Sequence, residues 1–107
     1  MHEFSAVVHR AGDQVEGWSV GERVVVDPRG HCRQCPQCHG GLMSLCENGV
    51  RWLGVADARD GGFAELLVAP AYGCLRLPDG LALDAAALTE RLACATRAVR
   101  GSHLAAG

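Results

Sequence analysis

A chain of 107 residues sets ten cationic side chains against twelve acidic ones, for a formal net charge of −2, and every one of the ten cations is Arg. The arginines are scattered from Arg10 to Arg100 without a block, which leaves no electrostatic footprint for nucleic acid, and the lack of any Lys excludes Schiff-base chemistry and a P-loop lysine. Hydrophobic residues at 49% and charged residues at 21% describe one globular domain rather than a disordered chain, and no apolar run approaches the ~18 residues of a membrane span.

The start, Met1-His2-Glu3-Phe4-Ser5, has neither the basic segment nor the apolar core of a secretory signal. A reducing cytoplasmic location is therefore expected, and clustered cysteines in that setting are more often metal ligands than disulfides. Short apolar runs broken by Gly, Asp and Pro then predict strands over 6–8 and 24–26, with turns at Gly12-Asp13 and Asp27-Pro28. Residues 28 to 52 hold no sustained period of either kind and read as a long excursion from the sheet, held by something other than a core. After Gly61-Gly62 the run 63–68 predicts another strand ended by Pro70, and 74–77 one more before Pro78-Asp79-Gly80. Asp84 is positioned to cap a helix over 84–100, on which Leu88, Leu92, Ala95 and Val99 recur at spacings of four, three and four, with Gly101 closing it. Strands early and a helix late predict a β-rich domain that stops as an α-containing part begins.

Inside the excursion, Cys32, Cys35, Cys38 and Cys46 give the spacing C-x2-C-x2-C-x7-C. Two intervening residues let consecutive thiolates turn toward one centre, and four thiolates complete a closed tetrahedral zinc shell at ~2.3 Å from metal to sulfur. A closed shell leaves no position for water, so its work is structural, and the binding energy of the metal becomes folding energy of the loop. Rival readings are disulfides, which need an oxidising compartment and specific geometry, and an iron–sulfur cluster, whose bacterial motif also opens C-x2-C-x2-C. In that motif the fourth sulfur follows after three residues and precedes Pro, whereas here the gap is seven and Glu47 follows. His31 and His39 flank the cysteines and read as loop residues; Cys74 and Cys94, alone on a strand and a helix, read as small packing hydrophobes. Trp18 and Trp52 read as packing too.

The surroundings of the cysteines narrow the field. Gly21-Glu22-Arg23-Val24-Val25-Val26-Asp27-Pro28, then the cysteines, then Gly61-Gly62-Phe63-Ala64-Glu65, then Leu77-Pro78-Asp79-Gly80-Leu81 and Ala85-Ala86-Ala87-Leu88-Thr89-Glu90 follow in an order that resembles the zinc-dependent medium-chain alcohol dehydrogenases. The likeness is strongest to the polyol, butanediol and threonine dehydrogenase branch, and His2-Glu3-Phe4-Ser5-Ala6 with Gly12 and Val15 looks like that family's G-H-E-x-x-G zinc-site motif. The resemblance runs from residue 2 to about 100. It implies a mainly β fold: a GroES-like, partly open β-barrel with a structural-zinc loop and a C-terminal helix, occupying 1–107 as one catalytic domain.

Carried over by position, the resemblance implies that Cys32, Cys35, Cys38 and Cys46 hold the structural zinc. It makes His2 a ligand of a second, catalytic zinc, Glu3 the acidic neighbour that binds or approaches that metal, and Glu90 the carboxylate that holds the water or substrate there. An open-shelled zinc acidifies a substrate hydroxyl, and hydride leaves the carbinol carbon for a nicotinamide, NAD or NADP. The implied substrate is a small-molecule secondary alcohol or polyol, and the implied full enzyme a homo-oligomer. The sequence also departs from the family. Met1 and Ala6 stand where it has Gly, Arg91 stands where Pro commonly follows the Glu, and the family's first catalytic zinc ligand, an N-terminal Cys, has no counterpart. No G-x-G-x-x-G occurs, so the dinucleotide-binding domain is expected to lie outside these residues, the chain reading as an incomplete enzyme inactive by itself. The alternative from another class is a stand-alone zinc-stabilised β module for protein interaction.

Overall fold

A computed structural model describes residues 1–49, 51–55 and 60–102. Its centre is a three-stranded antiparallel sheet in which β2 (Arg23–Val26) lies between β1 (Ser5–Val7) and β5 (Cys74–Arg76). The registers Ala6↔Val24 and Val24↔Arg76 set the three strands. A central strand buried on both faces reads as a continuous apolar run rather than an alternation, and Val24, Val25 and Val26 are all buried. Val24 and Val26 share one face with Phe4 and Leu53, and Ala6, Val8, Trp18, Leu67, Ala69 and Cys74 pack around them. Trp18 thus packs as expected, and the Arg76 guanidinium lies 4.2 Å from its ring centroid.

The Cys-rich excursion leaves the sheet through Asp27-Pro28 and is closed at its base by a second, two-stranded sheet of β3 (Arg29–Gly30) and β4 (Arg51–Trp52). The strands approach so closely that a Cβ on Gly30 would lie 2.9 Å from the Arg51 carbonyl oxygen, which explains the glycine. The Asp27 carboxylate accepts from the backbone N–H of Arg29 and from its guanidinium, so the turn is an ion-paired one. Between β3 and β4 the chain makes one short helix, α1 (Pro36–His39), with Pro36 in its first turn, and a 3-10 turn at Met43–Leu45.

Two expectations from the sequence are corrected here. Residues 63–68 form no strand: Phe63, Leu66 and Val68 are exposed at 84%, 66% and 80%, and only Leu67 of this run reaches the core. Its β-forming residues find no partner strand among the described residues, and an isolated strand has no ladder to stabilise it. The helix over 84–100 is two helices, α2 (Leu83–Ala86) and α3 (Thr89–Gly101). The N–H of Leu88 donates to the Ala85 carbonyl, a tightened bond three residues back that ends α2, and the N–H of Leu92 then donates to Leu88 to begin α3. Ala82 rather than Asp84 occupies the cap of α2; the Asp84 carboxylate accepts from the neighbouring Ala85 N–H inside the first turn.

The helical segment is tied back to the sheet by side chains. Arg23 donates to the Leu81 carbonyl at 2.6 Å and to the Pro78 carbonyl at 3.1 Å, and Ser5 Oγ donates to the Leu83 carbonyl at 2.7 Å. Among the described residues no helix is long and apolar enough to cross a membrane. Because Arg23 anchors the turn that carries the chain into α2, Arg23→Ala is expected to cost about 1 to 2 kcal/mol in a urea melt. It should also speed amide exchange at Ala86 and Ala87 while leaving exchange in β2 slow.

Candidate metal centres

Two groups of metal-ligating side chains converge in the structure. In the first, one sulfur from each of Cys32, Cys35, Cys38 and Cys46 lies within 4.8 Å of the other three. A tetrahedron with zinc–sulfur distances of ~2.3 Å has sulfurs about 3.8 Å apart, and the Cys32 and Cys38 sulfurs are separated by 3.8 Å. All six cysteines are free thiols, so the four have not paired into disulfides. The donor set and spacing fit zinc.

The loop achieves this convergence locally. Arg33 adopts a left-handed conformation, φ 62°, which folds the chain back over Cys32 so that its sulfur accepts the N–H groups of Gln34 at 3.4 Å and Cys35 at 3.3 Å. The one-turn helix α1 then places Cys38, and the 3-10 turn ends at Cys46. Hydrogen bonding, chiefly from the Gln34 N–H, pulls the Cys32 thiol down to about 5, and the Cys38 N–H leads those that lower Cys35. Burial and the neighbouring sulfurs push Cys38 up to about 12. The thiols are thus held in opposite protonation states, which a bound cation would bring together as thiolates.

In the second group, His2 Nε2 lies 4.0 Å from Glu3 Oε1 and 3.9 Å from Glu90 Oε2. These separations exceed a hydrogen bond, so the three groups converge without bonding to one another. A backbone strap holds the first two. Met1 N donates to the Gly54 carbonyl at 3.0 Å, the Gly62 N–H donates to the Met1 carbonyl at 2.9 Å, and the buried ring of Phe4 lies against Gly62. A Cβ on Gly62 would sit 2.8 Å from that ring, so only glycine admits the approach, and Gly54 (φ 69°) would clash with the Met1 carbonyl. Glu90 comes from the first turn of α3.

The structure therefore brings together the seven side chains named as ligands or catalytic groups, in two separate clusters. It also gives some residues contacts that the sequence reading did not anticipate. Arg91 donates from Nε to Glu3 Oε2 at 2.6 Å, and this bond holds the Glu3 carboxyl below its usual range. No local pattern announces a pair 88 residues apart. Cys94, expected to pack, is instead exposed, with its sulfur 3.9 Å from Glu90 Oε1 one helical turn away. Tyr72 braces the cysteine loop: the His31 N–H donates to its hydroxyl at 3.3 Å, the His31 ring lies 4.7 Å from its ring, and the Arg33 guanidinium stands 5.3 Å away. His39 is exposed as expected, whereas Trp52 borders a cleft of about 340 Å³ between Tyr72 and β4.

Residues 1–79 match the family model described as the alcohol dehydrogenase GroES-like domain. The 2-dehydro-3-deoxy-L-galactonate 5-dehydrogenase of Pseudoalteromonas atlantica is 41% identical over 106 residues, covering 99% of this chain and 30% of that protein. The L-threonine 3-dehydrogenase of Deinococcus deserti is 41% identical over 89 residues, covering 83% of this chain and 25% of that protein. A candidate zinc-binding dehydrogenase of Sinorhizobium meliloti, solved with NADP bound, superposes with a TM-score of 0.86 at 39% identity, over 99% of this chain and 30% of that one. The chain thus spans less than a third of the length of these proteins.

The opposed thiol behaviour gives an ordered prediction. In metal-stripped protein at pH 7, iodoacetamide should modify Cys32 before Cys38, as read by peptide mass spectrometry, and added zinc should protect both. Cys32 is held below its ordinary 9.0, so the support its thiolate gives the folded loop is complete above that value and is lost as the pH falls through about 5. Labelling of Cys38 first would contradict the assignment. Replacing any one of the four loop cysteines by Ser should likewise expose residues 28 to 52 to early proteolysis while the three-stranded sheet survives.

Proposed function

The chain belongs to the alcohol dehydrogenase GroES-like domain family, whose fold is a partly open β-barrel, and from that premise we propose that it is the catalytic domain of a zinc-dependent, NAD- or NADP-linked alcohol or polyol oxidoreductase. The observation that carries this reading is the convergence of His2 Nε2, Glu3 Oε1 and Glu90 Oε2 within 4.8 Å, from opposite ends of the described chain. A neutral imidazole and two carboxylates are a donor set that suits zinc at a site kept open, in contrast to the closed shell of the four sulfurs. Zinc bound there would supply Lewis acidity toward an alcohol oxygen.

The roles of the chain's own residues follow. His2 offers Nε2 as a ligand from a strap made rigid by Gly54 and Gly62. Glu3 offers Oε1. Glu90, with a side chain 20% exposed, is shielded yet reachable, and accepts a hydrogen bond from a substrate hydroxyl or from water. Cys32, Cys35, Cys38 and Cys46 hold a structural zinc that shapes the loop. Residues 80–102 belong to the same unit as 1–79, because Arg23, Ser5 and the Glu3–Arg91 pair tie them to the sheet and strap. The hydride acceptor is a nicotinamide gripped by a dinucleotide-binding domain outside these 107 residues, so turnover requires that domain. Six free thiols suit a reducing cytoplasm.

Metal counting tests the reading. The chain should bind one zinc tightly and a second more weakly, and His2→Ala should remove the second equivalent while leaving the first, as measured by elemental analysis after graded chelation. A chain whose zinc content is indifferent to His2→Ala would instead be a zinc-stabilised β module in which His2, Glu3 and Glu90 carry no chemistry.

A further inference from the structure

At the second centre each carboxylate turns one oxygen toward His2 and has the other engaged elsewhere. Glu90 directs Oε2 at His2, 3.9 Å away, while its Oε1 faces the Cys94 sulfur at 3.9 Å. Glu3 directs Oε1 at His2, 4.0 Å away, while Oε2 accepts the short 2.6 Å bond from Arg91 Nε. The second engagement is the stronger, since charge-assisted bonds between guanidinium and carboxylate are short and directional. Arg91 sits directly after Glu90 on α3 and reaches across to the strap.

We propose that Arg91 is a positioning residue that fixes Glu3 as a one-oxygen ligand, holding Oε2 away so that only Oε1 is presented beside His2 Nε2 and Glu90 Oε2. The proposal rests on the reading of that trio as metal ligands. A carboxylate free of such a partner can turn both oxygens onto one cation, which raises the coordination number and uses up a position that substrate needs. Two effects of Arg91 oppose each other here. Its charge repels a cation, and its bond orients the ligand. The side chain is 71% exposed, so solvent weakens the longer-range repulsion more than the 2.6 Å contact with Glu3 Oε2. Orientation therefore prevails.

The test uses cobalt(II) as the probe. The chain is first given one equivalent of zinc to fill the four-sulfur centre and is then titrated with cobalt(II), followed by visible absorption. The parent should take up cobalt with bands free of sulfur charge transfer. Arg91→Gln should still take up cobalt, but the visible bands should lose intensity as the second oxygen of Glu3 joins and the coordination number rises. Arg91→Lys, which keeps a cation on Oε2, should retain the parent bands even where thermal stability falls, which separates positioning from a merely structural pairing. Bands in Arg91→Gln identical to those of the parent overturn the proposal while the ligand reading stands. No cobalt uptake by the parent overturns both.

Discussion

Four thiol groups within 4.8 Å of one another form an arrangement that only a cation makes comfortable. Left to themselves they divide, hydrogen bonds led by the Gln34 N–H drawing Cys32 down to about 5 while burial pushes Cys38 up to about 12. A divalent metal removes that division, and its binding energy becomes folding energy. The loop has few other means of support. Its helix α1 buries no side chain, and Cys35 and Cys46 are its buried residues among positions 31–49. What protein contacts it has are at its base, where β3 pairs with β4 and Tyr72 braces His31.

The second centre is built on a different principle. Its three side chains are not packed into a local motif; they are delivered by separate pieces of backbone whose relative placement the rest of the fold decides. The strap of residues 1–4 is pressed against Gly54 and Gly62 by Phe4, itself a member of the core with Val24, Val26 and Leu53. Glu90 arrives on α3, and α3 is steered by a turn that Arg23 holds and by the break at Leu88. The core thus sets the distance between His2 and Glu90 through the segments that carry them. This division, with a rigid scaffold carrying reactive groups at its margins, is the usual arrangement of sites on small β folds.

Charge at this margin is balanced within the protein. Glu3 pairs with Arg91, and Asp27, in the turn that follows β2, pairs with Arg29, each carboxyl being held below its usual range by its arginine. Among the described residues Glu90 makes no direct ion pair with an arginine, although its charge acts on Arg29 and Arg91, and the side chains in direct reach of its carboxylate are His2 and Cys94. A carboxylate left in that condition beside a histidine is the one suited to engage a ligand from outside, which accords with the role proposed for it.

The four-cysteine centre was fully legible in the sequence, because its geometry is local: two-residue gaps fix where the sulfurs go whatever the rest of the chain does. The same holds for β2, whose unbroken valine run announces burial on both faces. The His2, Glu3 and Glu90 trio could be named only through resemblance to a family, since residues 88 apart have no shared period, and only packing of the strap and α3 could bring them within 4 Å. Residues 63–68 misled for a related reason: β-forming side chains state a preference, but a strand exists only where a partner offers a ladder. The break at Leu88, the Arg91 bond and the exposure of Cys94 were likewise decided by tertiary structure. Sequence determined what short-range stereochemistry and ligand spacing can fix; contacts across the fold decided everything that depends on two distant segments meeting.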